Sequence, residues 1–164
     1  VVDMLEELLE AGFPARTALE MMNTALVIGR EEIRFSTIDI SIFDLYEGTV
    51  DILKAGASTT FIRHQNGVER ICSTNLPLGV IQDLEIQSVH KHLQSGDFVI
   101  MITDGIMDAL PVGEQEFLLD TIIRGTSLNN PKEMAHHILE QVLEWTGEEP
   151  MDDMTVLVVG IWRI

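Results

Sequence analysis

The sequence predicts an α+β domain, a layered αββα sandwich of mostly antiparallel sheets flanked by helices. Three observations predict it. Apolar residues recur at helical spacing near both ends of the chain, over 2–28 and 114–146. Between them lies a block of strand-length segments that alternate or run continuously apolar. The loops joining these segments are too short to hold crossover helices, so sequential strands should pair antiparallel rather than as βαβ units.

Residues 2–11 place Met4, Leu5, Leu8 and Leu9 on one helical face, and Gly12 ends that helix. Pro14 suits the first turn of a second helix over 14–28, with Ala18, Met21, Met22, Ala25 and Leu26 as its apolar stripe. FSTIDISIFDLYEG (35–48) alternates as a long half-buried strand, with Ser36, Ile38, Ile40 and Ile42 on one face. Asp39 lies on the other face and is assigned no role. Strands follow over 50–56, 59–64 and 68–73. Gln65-Asn66-Gly67 carries a hairpin signal that favours positive φ. TNLPLGV (74–80) is a loop, LEIQSVHKHL (84–93) an alternating strand and Ser95-Gly96-Asp97 a tight turn. FVIMIT (98–103) is continuously apolar and should be buried on both faces. Helices over 114–124 and 131–146 follow, the second opened by Asn130 and Pro131. MTVLVVGIWRI (154–164) is a second buried strand.

Composition narrows the function classes. The 164 residues are 46% hydrophobic, with mean hydropathy +0.19, which excludes intrinsic disorder. Twenty-seven acidic side chains against ten basic ones give a net charge of −17, which argues against a nucleic-acid partner or an anionic membrane surface. The single cysteine, Cys72, excludes an internal disulfide and reads as a small core side chain. No apolar run is long enough to span a membrane. The opening Val1-Val2-Asp3 lacks a basic leader and falls in an already periodic helix, so the chain reads as a fragment of 1–164 in one domain.

The chemistry points to two strand ends. Asp104 and Gly105 follow the most apolar strand, and Asp152 and Asp153 precede the last one. If these strands are antiparallel neighbours, Asp104 and Asp152 meet at one rim of the sheet. Two desolvated carboxylates there would repel and call for a cation. Oxygen ligands select hard ions such as Mg²⁺ or Mn²⁺. Gly105 would let the backbone turn sharply, and Asp108, four residues on, could support the ligands from behind. Aspartates also flank strands as ordinary turn residues, so the spacing alone leaves both readings open.

ITDGIMD (102–108) and MDDMTVLVV (151–159) resemble the last two metal motifs of the metal-dependent PPM (PP2C-type) protein phosphatases. LEELLEAGFPARTALEMMNTAL (5–26), LKAGASTTFI (53–62) and STNLPLGVI (73–81) are similar to the branch typified by stage II sporulation protein E of spore-forming bacteria. The resemblance covers nearly all of the chain in the expected order. It implies that Asp104 and Asp152 are metal ligands, with Asp153 in the neighbouring position of the second motif. It further implies Mn²⁺ or Mg²⁺, two ions in the complete domain, and hydrolysis of phosphoserine or phosphothreonine by activated water. The substrate would be a phosphorylated anti-sigma-factor antagonist, the domain cytoplasmic, its parent chain membrane-anchored, and a homodimer a form to test. The family's first metal motif, an Asp-Gly pair upstream of the first helix, is absent from these residues, so weak binding and low activity are expected of the fragment.

Other readings are weaker. His90 and His92 share a strand face at a spacing that can hold zinc, without a third ligand. His136-His137 diverge around a helix, and His64 ends a strand as an ordinary surface residue. Ser36, Ser41, Ser58 and Ser73 lack a nucleophile elbow. A phosphoacceptor receiver domain needs βα alternation, which four consecutive strands over 35–73 oppose. The alternative of a different class is a non-catalytic regulatory module, with the two N-terminal helices as its partner-sensing element.

Overall fold

The computed structural model describes residues 1–29, 35–146 and 152–162. In chain order the elements are α1 (Val2–Glu10), α2 (Ala15–Ile28), β1 (Ile38–Asp44), β2 (Thr49–Ala55), β3 (Thr60–His64) and β4 (Gly67–Ile71). There follow β5 (Gln87–His92), β6 (Phe98–Ile102), α3 (Asp104–Asp108), α4 (Gln115–Gly125), α5 (Pro131–Thr146) and β7 (Val156–Gly160). The α+β expectation holds. The short helix α3 was not foreseen, and the last two residues of the strand expected over 154–164 lie outside the described residues. Among the described residues no helix is long and apolar enough to cross a membrane. The chain divides into two units, one of Val1–Leu45, Thr49–Ala57 and Ser73–Lys91, the other of Tyr46–Gly48, Ser58–Cys72 and His92–Ile164. The four strands expected in a row are therefore two hairpins in different sheets, β1-β2-β5 and β4-β3-β6-β7.

In the first unit, β1 and β2 pair antiparallel with Asp39 opposite Lys54. Helix α2 buries Ala15, Ala18, Leu19, Met22 and Asn23, a stripe at the i, i+3, i+4, i+7, i+8 spacing of one face. This corrects the expected stripe: Met21 is 40% exposed and Ala25 is also exposed. Polar Asn23 belongs to the buried face because its amide is fully used. It donates to the carbonyls of Ile81 (2.9 Å) and Gln82 (3.0 Å) and accepts from the Gly79 N–H (2.8 Å). Asn23→Ala should cost about 1–2 kcal/mol, because it orphans buried partners. Urea unfolding would show it as a lower midpoint at unchanged slope. Met4, Leu5 and Leu8 of α1 pack with Leu26 and Ile40 against a core of Leu19, Met22, Ile38, Leu53, Leu78 and Ile86. Gly56, at φ +63, turns the chain away from β2 against Pro77, where a side chain would clash.

In the second unit, β3 and β4 form the expected hairpin, register His64 to Gly67. Its turn falls on Gln65-Asn66, and the positive φ expected from Asn-Gly is absent: neither Asn66 nor Gly67 has one. Strand β6 lies between β3 and β7 and is buried on both faces apart from the half-buried Met101. Strand β7 is terminal in its sheet among the described residues and only half buried, with Leu157 52% exposed, so the expectation of a second fully buried strand fails. The core joins Phe61, Phe98, Ile100, Ile102 and Ile106 to Leu119, Ile123, Met134, Ile138 and Val142 of α4 and α5. Arg63 fastens the loop between these helices. Its guanidinium donates to the carbonyls of Leu128 (2.8 Å) and Thr126 (2.9 Å) and lies 5.4 Å from the centre of the Phe98 ring.

Candidate metal centre

Strands β6 and β7 are antiparallel neighbours, paired from Phe98↔Gly160 to Ile102↔Val156. The C-terminal end of one therefore lies beside the start of the other. Pairing continues one step beyond the ladder, where the Thr103 N–H donates to the Thr155 carbonyl at 3.1 Å. The Thr103 hydroxyl donates to the Asp153 carbonyl (3.2 Å) and accepts from the Thr155 N–H (2.9 Å). This brings Asp104, the first residue of α3, next to the Asp152-Asp153 segment.

Gly105 is buried at that meeting point. A Cβ there would sit 3.0 Å from the Asp153 carbonyl carbon and 3.4 Å from that of Asp152. The glycine is required by close approach of two backbones, not by the sharp turn expected of it, since its φ is not positive. Ile106 anchors α3 in the core with no exposed area.

Asp104 Oδ1 accepts from the Gly105 N–H at 3.2 Å, and Asp152 Oδ1 from the Asp153 N–H at 2.7 Å. Among the described residues neither carboxylate pairs with an arginine, lysine or histidine. Both are exposed, so the expected desolvation is not found. Asp153 contributes its backbone carbonyl, with its side chain exposed, and Asp108 is exposed at the far end of α3. The donor chemistry, all oxygen, fits a hard divalent ion. Among the described residues no three histidine, cysteine or acidic side chains converge on one point.

The other candidates resolve differently. His90 Nδ1 is 2.7 Å from Asp51 Oδ1, and no zinc cluster forms around it among the described residues. His136 pairs on the surface with Glu140 at 3.2 Å. His64 is more than a surface residue: its Nδ1 lies 2.9 Å from Oδ2 of Asp97, a carboxylate 2% exposed that also accepts from the Gln94 N–H. Cys72 lies just past β4, half buried, with its thiol 3.3 Å from Glu116 Oε1, so it is not a plain core side chain. Sequence reasoning missed Thr103. Its signal was a hydroxyl-bearing residue between a buried strand and an Asp-Gly pair.

The fold defines the class first. It superposes on the PP2C phosphatase domain of the cell fate determinant SpoIIE from Bacillus subtilis with TM-score 0.88 and 32% identity, over 98% of this chain and 48% of that one. On the manganese-presoaked phosphatase domain of the same protein the TM-score is 0.76, at 29% identity over 99% of this chain and 74% of that one. The fold is PP2C-like. The family model described as stage II sporulation protein E (SpoIIE) matches residues 1–162, and the chain belongs to that family. It is 32% identical over 98% of its length to stage II sporulation protein E of Bacillus subtilis and spans about a fifth (20%) of that relative.

Proposed function

We propose that this chain is part of the catalytic domain of a metal-dependent serine/threonine protein phosphatase, acting on a phosphorylated anti-sigma-factor antagonist. The observation that carries the reading is the adjacency of the Asp104 and Asp152 segments, 48 positions apart in sequence, at one sheet end, with each carboxylate bonded to a neighbouring backbone N–H rather than to a cationic side chain among the described residues. Family membership and the manganese-presoaked relative support it. Asp104 and Asp152 would hold Mn²⁺ or Mg²⁺ through carboxylate oxygens, and Asp153 and Gly105 keep the two segments in contact. Such ions, when bound, acidify water and offset the charge of the phosphoryl oxygens. No cysteine nucleophile is needed, which agrees with the thiol of Cys72 lying against a carboxylate.

The test is Mn²⁺ titration of the 164-residue chain by calorimetry, alongside phosphoserine-peptide hydrolysis. Asp104→Asn and Asp152→Asn should each weaken Mn²⁺ binding by about tenfold or more, by removing a charged ligand. Unchanged binding in both variants, or hydrolysis equal with and without metal, overturns the reading. Absence of divalent-ion binding would favour a partner-binding regulatory module.

A further inference from the structure

The hydrogen-bond pattern around Thr103 shows one residue serving two elements. In an antiparallel ladder, residues facing each other as Thr103 and Thr155 do would exchange two backbone bonds. Only one is made by backbone alone, from the Thr103 N–H to the Thr155 carbonyl. The Thr103 carbonyl is turned away and accepts from the Ile106 N–H at 3.1 Å, opening α3. The Thr103 hydroxyl takes the place of that carbonyl, accepting from the Thr155 N–H at 2.9 Å and donating to the Asp153 carbonyl at 3.2 Å. It makes no capping bond to α3 itself. One side chain thus grips the partner strand on both sides of Met154 while its backbone starts the helix that carries Asp104.

We propose that Thr103 is a positioning residue that sets the spacing of Asp104 and Asp152 before any ion arrives. This rests on the phosphatase reading of the rim. Without the hydroxyl the Thr155 N–H loses its partner, and the contacts among the described residues that still join the segment before β7 to the base of α3 are the Thr103 N–H bond to the Thr155 carbonyl and packing on Gly105. A valine of similar shape removes the hydroxyl and keeps the branched bulk. A serine keeps the hydroxyl and loses a methyl group.

Thr103→Val and Thr103→Ser test this in the 164-residue chain with two readouts. One is amide hydrogen exchange at Thr155 without metal; the other is Mn²⁺ affinity by calorimetry. Thr103→Val should speed exchange at Thr155 and weaken Mn²⁺ binding by about tenfold, the scale seen when residues supporting a metal ligand are removed. Thr103→Ser should restore both. A role in stability alone would lower the melting temperature of Thr103→Val while Mn²⁺ affinity of the folded protein stayed unchanged, and that overturns the proposal even if binding depends on Asp104. If the unsubstituted chain takes up no Mn²⁺, or equally much after Asp104→Asn, the phosphatase reading fails and the positioning role fails with it.

Discussion

Replacing Lys54 with methionine is expected to destabilise the protein by about 3–5 kcal/mol, the scale of breaking one side of a buried ion pair. Lys54 has no exposed side-chain area, Asp39 only 14%, and the ammonium lies 2.5 Å from Asp39 Oδ2. Moving a charge into such surroundings is costly, and the partner's attraction offsets much of that cost. Removing the ammonium takes away the cation nearest a carboxylate that is only 14% exposed. Asp39→Leu alone should also destabilise the protein, because it removes a carboxylate 2.5 Å from a fully buried ammonium. The double variant should recover much of the loss, since a well-packed apolar pair needs no charge compensation. Urea unfolding of the four proteins gives a double-mutant cycle. A coupling near zero would mean that the pair does not act as a unit.

Gly105→Ala is expected to cost about 2–3 kcal/mol by overpacking, reversing the usual sign for a helix. Elsewhere in a helix, alanine in place of glycine gains up to about 1 kcal/mol. At 105 the added methyl meets the Asp153 carbonyl, a backbone group that cannot rotate away. Relief requires separation of α3 from the segment before β7, and so of Asp104 from Asp152. Gly125→Ala, at the end of α4 with nothing within 4 Å, is the control and should be neutral or slightly stabilising. Thermal unfolding of both variants would separate the two effects; equal melting temperatures would refute the close-contact account.

Elements with one strong periodicity were legible from residue order. Strand β6 is continuously apolar and central, and α5 begins at the Asn130-Pro131 signal, where Asn130 Oδ1 accepts from the Lys132 and Glu133 amides. The antiparallel adjacency of the last two strands, on which the candidate site depends, was also anticipated. Helix α3 was not, because five residues carry too little periodicity to separate a helical turn from a loop. The buried face of α2 was misplaced because the expected stripe was drawn through apolar residues alone, and only loop 79–82 shows why the amide of Asn23 belongs on it. The Asp39–Lys54 pair was within reach. A turn over 45–48 places 39 opposite 54, but alternation alone drew attention to the isoleucines. The burial of Asp97 beneath His64 could not be read, since it depends on contacts between strands far apart in sequence.

The register of β6 against β7 has one more consequence. Apolar strands can slide by two residues and still present the same faces, so burial alone is a poor vernier for their alignment. Such a slide would carry one carboxylate about 7 Å along from the other, too far for the ion-holding role proposed for them, while leaving the sheet respectably packed. The hydroxyl at 103 and the missing side chain at 105 fit only one alignment, so the chemistry of this edge carries its own check that the strands have been threaded correctly.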